Sequence, residues 1–486
     1  MTYRILKAGT LFLCFTGLPG NQPQAVTTLD LPEIGDSAGS IVSPEFERRL
    51  GQAFMRQVRQ QINIIQDPEV ETYIQSIGYQ LVANSDTNTQ PFNFFVVDDP
   101  MINAFAAPGG IIGVHSGVIL NSRSESELAA VMAHEIAHIT QRHMARTVED
   151  AGKFSLPVAA AMIGAILIGI QNPQAGSAAL AVISGASVQH QINFTRANEE
   201  EADNVGMQLL ARSDYDPNGM PSFFERLQQS SRYYRGQAPD FLQTHPLTTS
   251  RIAGTRARAE AYPIKKYSDS HSFELIRSKL LVHSQKTPLD AVLLFKERLE
   301  TEKPENLNAA RYGYALALIK ADKYGEARDQ LRFLLKDNNE NIAYLLAAAK
   351  LETVQGNYAA ALGIYREAYK LYPDYKPLVF AYSQALLDTR QPQDARELLR
   401  HYGQNHDPDI AYYNLLAQAE GEAGNEAESA LAKAEYYYLQ GETKLAIDKL
   451  KFIQNQGGLD YYLVERISAR LVQLEYELGL EEELKI

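Results

Sequence analysis

The sequence predicts two fold classes in one chain: an α+β domain in the first half and an all-α helical solenoid in the second. Helical and strand patterns alternate through residues 43–150, with a strand-like segment at 92–99 between amphipathic helices. After about residue 270 the composition shifts to Ala, Leu, Tyr and Glu, and one helical segment follows another. A 34-residue spacing of small residues in this second half indicates repeated helix pairs.

The composition is that of an ordinary globular protein with an acidic balance of charge. Of the 486 residues, 45% are hydrophobic and 22% are charged, and the net charge at pH 7 is −13. Binding of nucleic-acid phosphates needs clustered Lys and Arg, and the sequence contains no long basic segment. We therefore expect no nucleic-acid partner.

The N-terminus has the pattern of a secretory signal peptide. Arg4 and Lys7 form a basic region before a short apolar segment. We expect residues 1–25 to be removed at a cleavage point that the sequence does not define; a short buried helix is the alternative. The single cysteine, Cys14, lies in this segment behind Leu13, which is too bulky for a lipoprotein cleavage site. The mature chain would then have no thiol, which suits an oxidising compartment.

Residues 154–195 contain no Asp, Glu, Lys or Arg. The longest apolar run, 156–170, has 15 residues and would extend roughly 22 Å as a helix. A membrane span needs about 20 apolar residues. We therefore expect a helical hairpin that packs on the domain, or that contacts a partner or makes a peripheral membrane contact, rather than a transmembrane helix.

The second half has a period of 34 residues. The repeating small and large positions are Ala327 and Leu331, Ala361 and Tyr365, and Ala395 and Leu399. Small and large residues at this spacing are typical of tetratricopeptide repeats. We expect residues 270–486 to form an all-α tetratricopeptide-repeat solenoid, with degenerate or capping units at 284–302 and 410–480.

The strongest chemical signal is HEIAH, residues 134–138, in a segment with helical periodicity. Residues four apart on a helix lie about 40° apart, so His134 and His138 can bind one zinc ion. Glu135 lies beside the first of these, where it can take a proton from a water activated by the metal. Two idle histidines on an exposed helix are the alternative, which weakens if a third ligand can be found.

The third ligand must come from elsewhere, because the glycine of the extended HExxHxxGxxH motif is absent. Three consecutive glutamates occur in a later helical segment whose inward face includes Ala202. At 100° per residue, Glu199 lies about 60° from Ala202, whereas Glu201 and Glu200 lie about 100° and 160° away. We predict Glu199 as the third ligand and Asp203, on the same face, as a residue that orients a ligating imidazole. A solvated run of charges is the alternative.

His143 is the other histidine of the motif region. It comes nine residues after His134, which places it on the opposite side of one continuous helix. We therefore expect a structural role for His143. The helix-face argument likewise predicts mild effects for Glu200→Gln and Glu201→Gln.

HEIAH, the spacing of Glu199, Ala202 and Asp203, and the segment NAFAAPGG (103–110) resemble the gluzincin metallopeptidase family that also contains the CAAX prenyl proteases. With the signal peptide and the repeats, the chain resembles the periplasmic branch of that family, the β-barrel assembly-enhancing proteases of Gram-negative bacteria. The resemblance implies a zincin-like metalloprotease domain over 43–265 with one zinc ion per chain. It also implies a location in the periplasm, with peripheral association at the outer membrane as a further expectation.

The resemblance also implies substrates and partners. Similar proteases degrade misassembled outer-membrane proteins and assist their assembly. The segment 103–110 would be an edge strand that pairs with an extended peptide, with Asn103, Ala104, Phe105 and Ala106 as substrate-binding residues. The repeats would dock the β-barrel assembly machinery or its unfolded clients. A chaperone or scaffold with little or no proteolysis is the alternative; the five intact positions favour an enzyme, namely His134, Glu135, His138, Glu199 and Asp203.

His245 lies in the segment QTHPLTTSR, where Pro246 indicates a turn. A lone histidine usually has a structural role, but in the resembled family similar THP segments followed by an arginine, here Arg251, lie near the active site. We predict that His245 either occupies the fourth zinc position at rest or hydrogen-bonds the developing oxyanion during catalysis. We favour the first role, because a protease working among unfolded proteins needs an inactive resting state.

Overall fold

The computed structural model describes residues 44–86, 91–150, 156–184, 188–233 and 239–484. The expected signal peptide, residues 1–25 with Cys14, lies outside the described residues. Within them, a small sheet covered by helices is followed by a long series of helix pairs. The predicted fold class, an α+β domain followed by an all-α repeat solenoid, is confirmed.

The first part of the described chain is a three-stranded sheet surrounded by helices. Its strands are β1 (Asn93–Val97), β2 (Ala104–Ala107) and β3 (Ile111–His115); its helices are α1 (Pro44–Gln61), α2 (Pro68–Ala83), α3 (Ser116–Asn121), α4 (Glu125–Thr140), α5 (His143–Asp150), α6 (Leu156–Gln171), α7 (Pro173–Ser184), α8 (Val188–Arg212), α9 (Gly219–Tyr233), α10 (Phe241–Thr244) and α11 (Thr249–Ala259). Strand β3 lies in the middle, parallel to β1 and antiparallel to β2. Strand β2 is therefore at one edge of the sheet.

The core of this part lies between the sheet and the helices α2, α4 and α9. Its members include Ile74, Phe94, Ile112, Leu128 and Phe223, none more than 1% exposed. Burial of one such side chain stabilises the folded protein by about 1.5–3 kcal/mol. The next helix, α12 (His271–Ser284), adds Phe273, Ile276 and Leu280 to the same core. The first helix after residue 270 is thus also part of the packing of this first part of the chain.

The described part of the uncharged segment forms the helical hairpin α6–α7 and the beginning of α8. Apolar side chains of α6, including Ile163 and Ile170, pack in one cluster with Phe54 of α1. The two helices approach closely where Gly169 faces Gly176; a Cβ atom at Gly176 would lie 2.3 Å from the Gly169 Cα. The expected packing of a helical hairpin on the domain is therefore present in the described part of 154–195.

Among the described residues, no helix combines the length and apolarity needed to cross a membrane.

The second part of the described chain continues as antiparallel helix pairs. After α12 these are α13 (Pro288–Thr301), α14 (Leu307–Lys320), α15 (Tyr324–Asp337), α16 (Ile342–Val354), α17 (Tyr358–Leu371), α18 (Lys376–Asp388), α19 (Pro392–Gly403), α20 (Ile410–Glu422), α21 (Glu426–Leu439), α22 (Thr443–Gln456) and α23 (Tyr461–Leu484). The small residues of the predicted period, Ala327, Ala361 and Ala395, are all 0% exposed. They occupy the same place in the second helix of successive pairs, as the repeat requires.

The backbone repeats this period over a longer stretch than the side chains do. Residues with positive φ recur every 34 residues, at Asp322 (58°), Gly356 (76°), Arg390 (59°), Gly424 (82°) and Gly458 (75°). Each ends or follows a helix, where the left-handed conformation lets the chain reverse and is easiest for glycine. The repeat therefore extends to the C-terminal helices, where the sequence indicated degenerate units.

The C-terminal repeats contact the α+β part of the chain. Arg59 of α1 donates to the Leu439 carbonyl at 2.6 Å, and Arg56 donates to the Tyr438 hydroxyl at 3.2 Å. Nearer the middle of the solenoid, Lys376 lies 2.9 Å from Glu71 of α2. The solenoid is thus fixed to the α+β part at several points along its length.

Candidate metal centre

The motif helix α4 begins at a capped N-terminus and runs into the core. The Ser124 hydroxyl accepts a hydrogen bond from the Glu127 N–H, which satisfies one donor of the first turn. The Glu127 carboxylate accepts from the Arg123 N–H instead of from the cap residue, so only one half of a capping box forms. Every residue from 125 to 137 is buried, and this burial fixes the direction of His134.

Four side chains converge at one point between α4, α8 and the loop after α10. They are His134, His138, Glu199 and His245. Each offers one ligand atom, and the four atoms lie within 4.8 Å of one another. The structure therefore brings together the three residues predicted as metal ligands and the one predicted near the fourth position.

The distances in this cluster match those between ligands of one tetrahedral ion. His134 Nε2 lies 3.1 Å from His138 Nε2 and 3.3 Å from His245 Nδ1. The Glu199 oxygens lie 3.0 Å from His245 Nδ1, 3.3 Å from His134 Nε2 and 3.4 Å from His138 Nε2. Ligand atoms about 2.0–2.1 Å from a tetrahedral zinc ion are separated by roughly 3.3 Å. Three imidazoles and one carboxylate also suit zinc chemically, so these residues fit that ion.

Close packing of α8 against α4 brings Glu199 to the histidines. A Cβ atom at Gly206 would lie 3.1 Å from the backbone nitrogen of His134 and 3.2 Å from the backbone carbonyl of Ala133. The backbone of α4 thus occupies the space that a side chain at Gly206 would need. A larger residue there would push α8 and its glutamate away from the cluster.

Charged groups contact the candidate ligands on the side away from the metal position. Asp203 Oδ1 lies 3.1 Å from His134 Nδ1. The Arg251 guanidinium donates two hydrogen bonds of 2.7 Å to the Asp203 carboxylate. Arg251 Nη1 also lies 2.8 Å from Glu199 Oε2 and donates to the Pro246 carbonyl at 2.9 Å. One guanidinium therefore links helix α8 to the loop after α10.

Burial and ion pairing shift the pKa values of the clustered groups in different directions. Burial lowers the pKa of His138 to about 3. Burial also acts to lower the pKa of His134, but hydrogen bonds with Asp203 and Glu199 outweigh it and raise that pKa to about 10. Burial acts to raise the pKa of Glu199, but the neighbouring histidines hold it well below its usual value. A metal ion binding here would therefore displace a proton from the cluster, since ligating imidazoles must be neutral.

Glu135 is the carboxylate best placed for proton transfer. Its side chain is 1% exposed, and neither carboxylate oxygen has a hydrogen-bond partner among the described residues. His245 Nε2 is 3.4 Å from Glu135 Oε1. Burial raises the pKa of Glu135. A buried carboxylate with a raised pKa and unused lone pairs is suited to act as a general base.

Strand β2 contains three of the four residues predicted to bind substrate. Ala104, Phe105 and Ala106 lie in this edge strand, which packs near α4. Asn103 precedes the strand and is 2% exposed, and its Oδ1 has no hydrogen-bond partner among the described residues. An edge strand presents backbone N–H and C=O groups to which an extended peptide can pair.

Comparison with known proteins agrees with this geometry. A model of peptidase family M48 matches residues 68–259, and a tetratricopeptide-repeat model matches residues 355–419. The beta-barrel assembly-enhancing protease of Escherichia coli (strain K12) is 37% identical over 446 residues, covering 91% of this chain and 91% of that protein. A putative protease of the same name from Vibrio cholerae is 36% identical over 462 residues, covering 95% and 94%.

The chain belongs to the beta-barrel assembly-enhancing protease family. As a member of peptidase family M48 with a cluster that fits one metal ion, it is a zinc metalloprotease. A more distant relative, the mitochondrial metalloendopeptidase OMA1 of Schizosaccharomyces pombe, is 29% identical over 220 residues, covering 43% of this chain and 60% of that protein.

Sequence reasoning missed three residues of this protease's site. The role of Arg251 behind Asp203 and Glu199 was not predicted, although the arginine after the THP segment had been noted. His143 and Glu201 also belong to the surroundings of the cluster, because His143 Nδ1 lies 2.8 Å from His138 Nδ1 and its Nε2 lies 3.1 Å from Glu201. The sequence did not indicate this contact, because nine residues along one unbroken helix would place His143 on the side opposite His134.

Proposed function

We propose that this chain is a zinc endopeptidase of the bacterial periplasm that degrades misassembled outer-membrane β-barrel proteins and assists their assembly. The observation that carries the proposal is the convergence of His134, His138 and Glu199 beside the buried carboxylate of Glu135. The names of the Escherichia coli and Vibrio cholerae relatives support the link to β-barrel assembly. The signal-peptide pattern of residues 1–25 supports the periplasmic location.

The residues of the site have separable roles in peptide hydrolysis. His134, His138 and Glu199 would hold the zinc ion. The chemistry that zinc supplies at such a site is Lewis acidity toward a water molecule and toward the peptide carbonyl. Glu135 takes a proton from the attacking water and passes it to the leaving amine, a task suited to a buried carboxylate with a raised pKa.

The edge strand β2 provides a way to bind many different chains. Main-chain hydrogen bonds from Ala104 to Ala106 would hold an extended peptide whatever its side chains are. Chains that have failed to fold expose such extended segments, whereas folded barrels keep theirs paired. This favours misassembled β-barrel proteins as substrates over their folded forms.

The solenoid supplies a second candidate binding site. A cavity of about 810 Å³ lies between α2, the segment 265–276 and the repeats. Six tyrosines line it, namely Tyr73, Tyr215, Tyr267, Tyr312, Tyr372 and Tyr375. Tyrosine is enriched in protein interfaces because it combines an apolar ring with a hydrogen-bonding hydroxyl. We assign this cavity to docking of the β-barrel assembly machinery or its clients. It also favours the second candidate function, a chaperone that binds without cleaving.

Zinc content and proteolysis test the enzymatic assignment. We expect one zinc ion per purified chain and chelator-sensitive cleavage of an unfolded β-barrel protein. Glu199→Gln should lose both the zinc and the cleavage, whereas Glu135→Gln should keep the zinc and lose only turnover. Glu200→Gln, the same change at the exposed neighbour, is the matched control and should retain both. Cleavage by Glu135→Gln at the wild-type rate would exclude the proposed mechanism.

Capture in cells tests the substrate class. Glu135→Gln, expressed at its natural level and crosslinked in the cell envelope, should retain unassembled outer-membrane β-barrel proteins. Glu135→Gln combined with Glu199→Gln tests whether capture needs an intact metal site. A captured set that lacks outer-membrane β-barrels would contradict the substrate assignment.

Charge reversal tests the docking role of the cavity. Lys266→Glu, at the cavity wall, should reduce binding of the assembly machinery while peptide hydrolysis stays unchanged. Lys444→Glu, at an exposed lysine of α22 that does not line the cavity, is the matched control and should keep both properties. Equal partner binding by both variants would remove the cavity from the proposal.

A further inference from the structure

The two motif histidines have different partners on the side away from the metal position. His134 Nδ1 faces a carboxylate directly, Asp203 Oδ1 at 3.1 Å. His138 Nδ1 instead faces another imidazole, His143 Nδ1 at 2.8 Å. His143 is 4% exposed, so water does not compete freely for this contact. A neutral imidazole has one protonated and one unprotonated nitrogen, so the contact depends on which nitrogen of each ring carries the proton.

The hydrogen bonds determine one arrangement of protons. Nε2 of His138 points into the ligand cluster, 3.1 Å from His134 Nε2, so a ligating neutral His138 has its proton on Nδ1. Among the described residues, the acceptor that faces this proton is His143 Nδ1, which must therefore be unprotonated. The remaining proton of His143 is then on Nε2, which donates to Glu201 Oε2 at 3.1 Å. Each step fixes the next, and the chain of bonds ends on a carboxylate.

Arg146 secures the end of this chain of bonds. Its Nη1 lies 3.1 Å from the same Glu201 oxygen, so Glu201 remains an anion that accepts from His143. The Glu201 side chain is 38% exposed, which places the charge at the rim of the site. Arg146 and His143 both belong to α5, whereas Glu201 belongs to α8.

A break in the motif helix makes this arrangement possible. Helix α4 ends at Thr140 and α5 begins at His143. Between them Arg142 has a φ of 52°, the left-handed conformation that ends a helix and redirects the chain. In a continuous helix His143 would point away from the ligands; the break turns it back toward His138.

We propose that His143 and Glu201 are positioning residues that hold His138 in its zinc-binding tautomer and orientation. The proposal rests on the assignment of His138 as a ligand in the proposed function. It means that Glu199, Glu201 and Asp203, on one short stretch of α8, supply a ligand and the anion behind each motif histidine. Groups that orient a ligating histidine typically change metal affinity by about 10–100-fold when they are removed.

Zinc affinity of the full-length protein, measured by competition with a chromogenic chelator, tests this inference. His143→Leu removes the acceptor for His138 Nδ1, and we expect zinc affinity to fall about 10–100-fold. His143→Asn places an amide oxygen close to the former Nδ1 position, so it should recover most of that loss. Glu201→Gln should lower affinity about tenfold, a larger effect than the helix-face argument from the sequence predicts, because Glu201 accepts from His143. Glu200→Gln should leave the affinity unchanged.

The rescue separates positioning from simple packing. If His143 only fills space, His143→Leu and His143→Asn would differ in the free energy of unfolding and not in zinc affinity. Affinities within twofold of wild type for both His143→Leu and Glu201→Gln would overturn the inference. Should His143→Leu fail to fold, Glu201→Gln against Glu200→Gln still decides it, because both change one partly or fully exposed carboxylate.

Failure of this inference differs from failure of the proposed function. If Glu199→Gln releases zinc and His143→Leu does not, the metal site stands and the positioning role is wrong. If Glu199→Gln binds zinc as tightly as wild type does, the ligand assignment itself is wrong. The positioning role then falls with it.

Discussion

The imidazole of His245 lies between the candidate ligand Glu199 and the candidate base Glu135. Its Nδ1 is 3.0 Å from Glu199 Oε1, and its Nε2 is 3.4 Å from Glu135 Oε1. The ring also stacks on Phe241, with centroids 4.7 Å apart. His245 thus lies at the position of a fourth ligand and next to Glu135, the candidate general base.

Removal of His245 should raise proteolysis. A ring at the fourth corner of the cluster excludes the attacking water and the substrate carbonyl, so His245→Ala should cleave an unfolded substrate several-fold faster than wild type. We also expect self-cleavage, with sites in the uncharged segment 154–195. An oxyanion donor would instead give a fall of about 10²–10³ in turnover.

Gln243→Ala, a change in the short helix that precedes His245, is the control and should keep the wild-type rate. Turnover and self-cleavage fragments are measured together for both variants. If His245→Ala matches wild type in both measurements, His245 has only a structural role.

Arg251 should be important for stability even without metal. Its guanidinium bonds to Asp203 and Glu199, both of which are buried. Removing one partner of a buried ion pair leaves uncompensated charge and costs about 3–5 kcal/mol. We therefore expect Arg251→Ala to lower the free energy of unfolding of the metal-free protein by that amount.

Arg256→Ala provides the comparison, because Arg256 pairs with Glu225 on the surface. Exposed ion pairs contribute about 1 kcal/mol or less. Denaturant unfolding of both variants measures the difference. Similar small losses for the two would mean that the charges behind the ligands are compensated without Arg251.

The contact between Glu125 and Ser270 joins the motif helix to the first helix of the solenoid. Ser270, the cap residue of α12, donates its N–H to Glu125 Oε2 at 3.0 Å and its hydroxyl to Oε1 at 2.6 Å. In return, the Glu125 N–H at the start of α4 donates to Asp269 Oδ1 at 2.7 Å. Tyr73 adds a further donor to Glu125 Oε1 at 2.8 Å. A carboxylate at the start of α4 therefore accepts from the cap residue of α12, and a carboxylate just before α12 accepts from the first N–H of α4.

Glu125→Gln should weaken this junction, although the new side chain has almost the same size as the old one. The amide has one oxygen instead of two, so at least one buried donor loses its acceptor, at a cost of about 1–3 kcal/mol in the free energy of unfolding. Glu426→Gln also removes a charge from the first turn of a helix, but it is exposed. That control should lose no more than about 1 kcal/mol. Equal losses would show that the helix dipole, and not the junction, explains the effect.

The parts of this protein that could be predicted from the sequence depend on regular periodicity. Helix geometry placed His134 and His138 together and selected Glu199 from three adjacent glutamates. The 34-residue spacing of alanines likewise located the helix pairs of the solenoid.

The remaining features depend on local breaks or long-range contacts, which periodicity does not report. The left-handed Arg142 interrupts the motif helix and brings His143 to His138, contrary to the expectation for one continuous helix. Arg390 adopts the same conformation at a position where the neighbouring repeats have glycine. Phe273 packs into the catalytic core from beyond residue 270, because packing follows the folded path of the chain.

His115 ends strand β3 and is fully buried. Neither ring nitrogen has a hydrogen-bond partner among the described residues, and Asp99 Oδ2 lies 3.9 Å from Nδ1. Burial lowers the pKa of His115 to about 4, and Asp99 opposes this only in part. The native protein therefore keeps this imidazole neutral at pH values where an unfolded chain would protonate it.

The stability of the metal-free protein should fall as the pH is lowered from about 6.5 to about 4. In that range the unfolded chain binds the His115 proton and the folded chain does not, so unfolding is favoured, by on the order of 3 kcal/mol at the lower limit. His115→Leu should remove this contribution and flatten the dependence of the unfolding free energy on pH. Both proteins share the titrating cluster around His134, so the difference between their urea-unfolding curves in chelator isolates His115. Parallel pH curves for wild type and His115→Leu would show that the native protein protonates this imidazole as readily as the unfolded chain does.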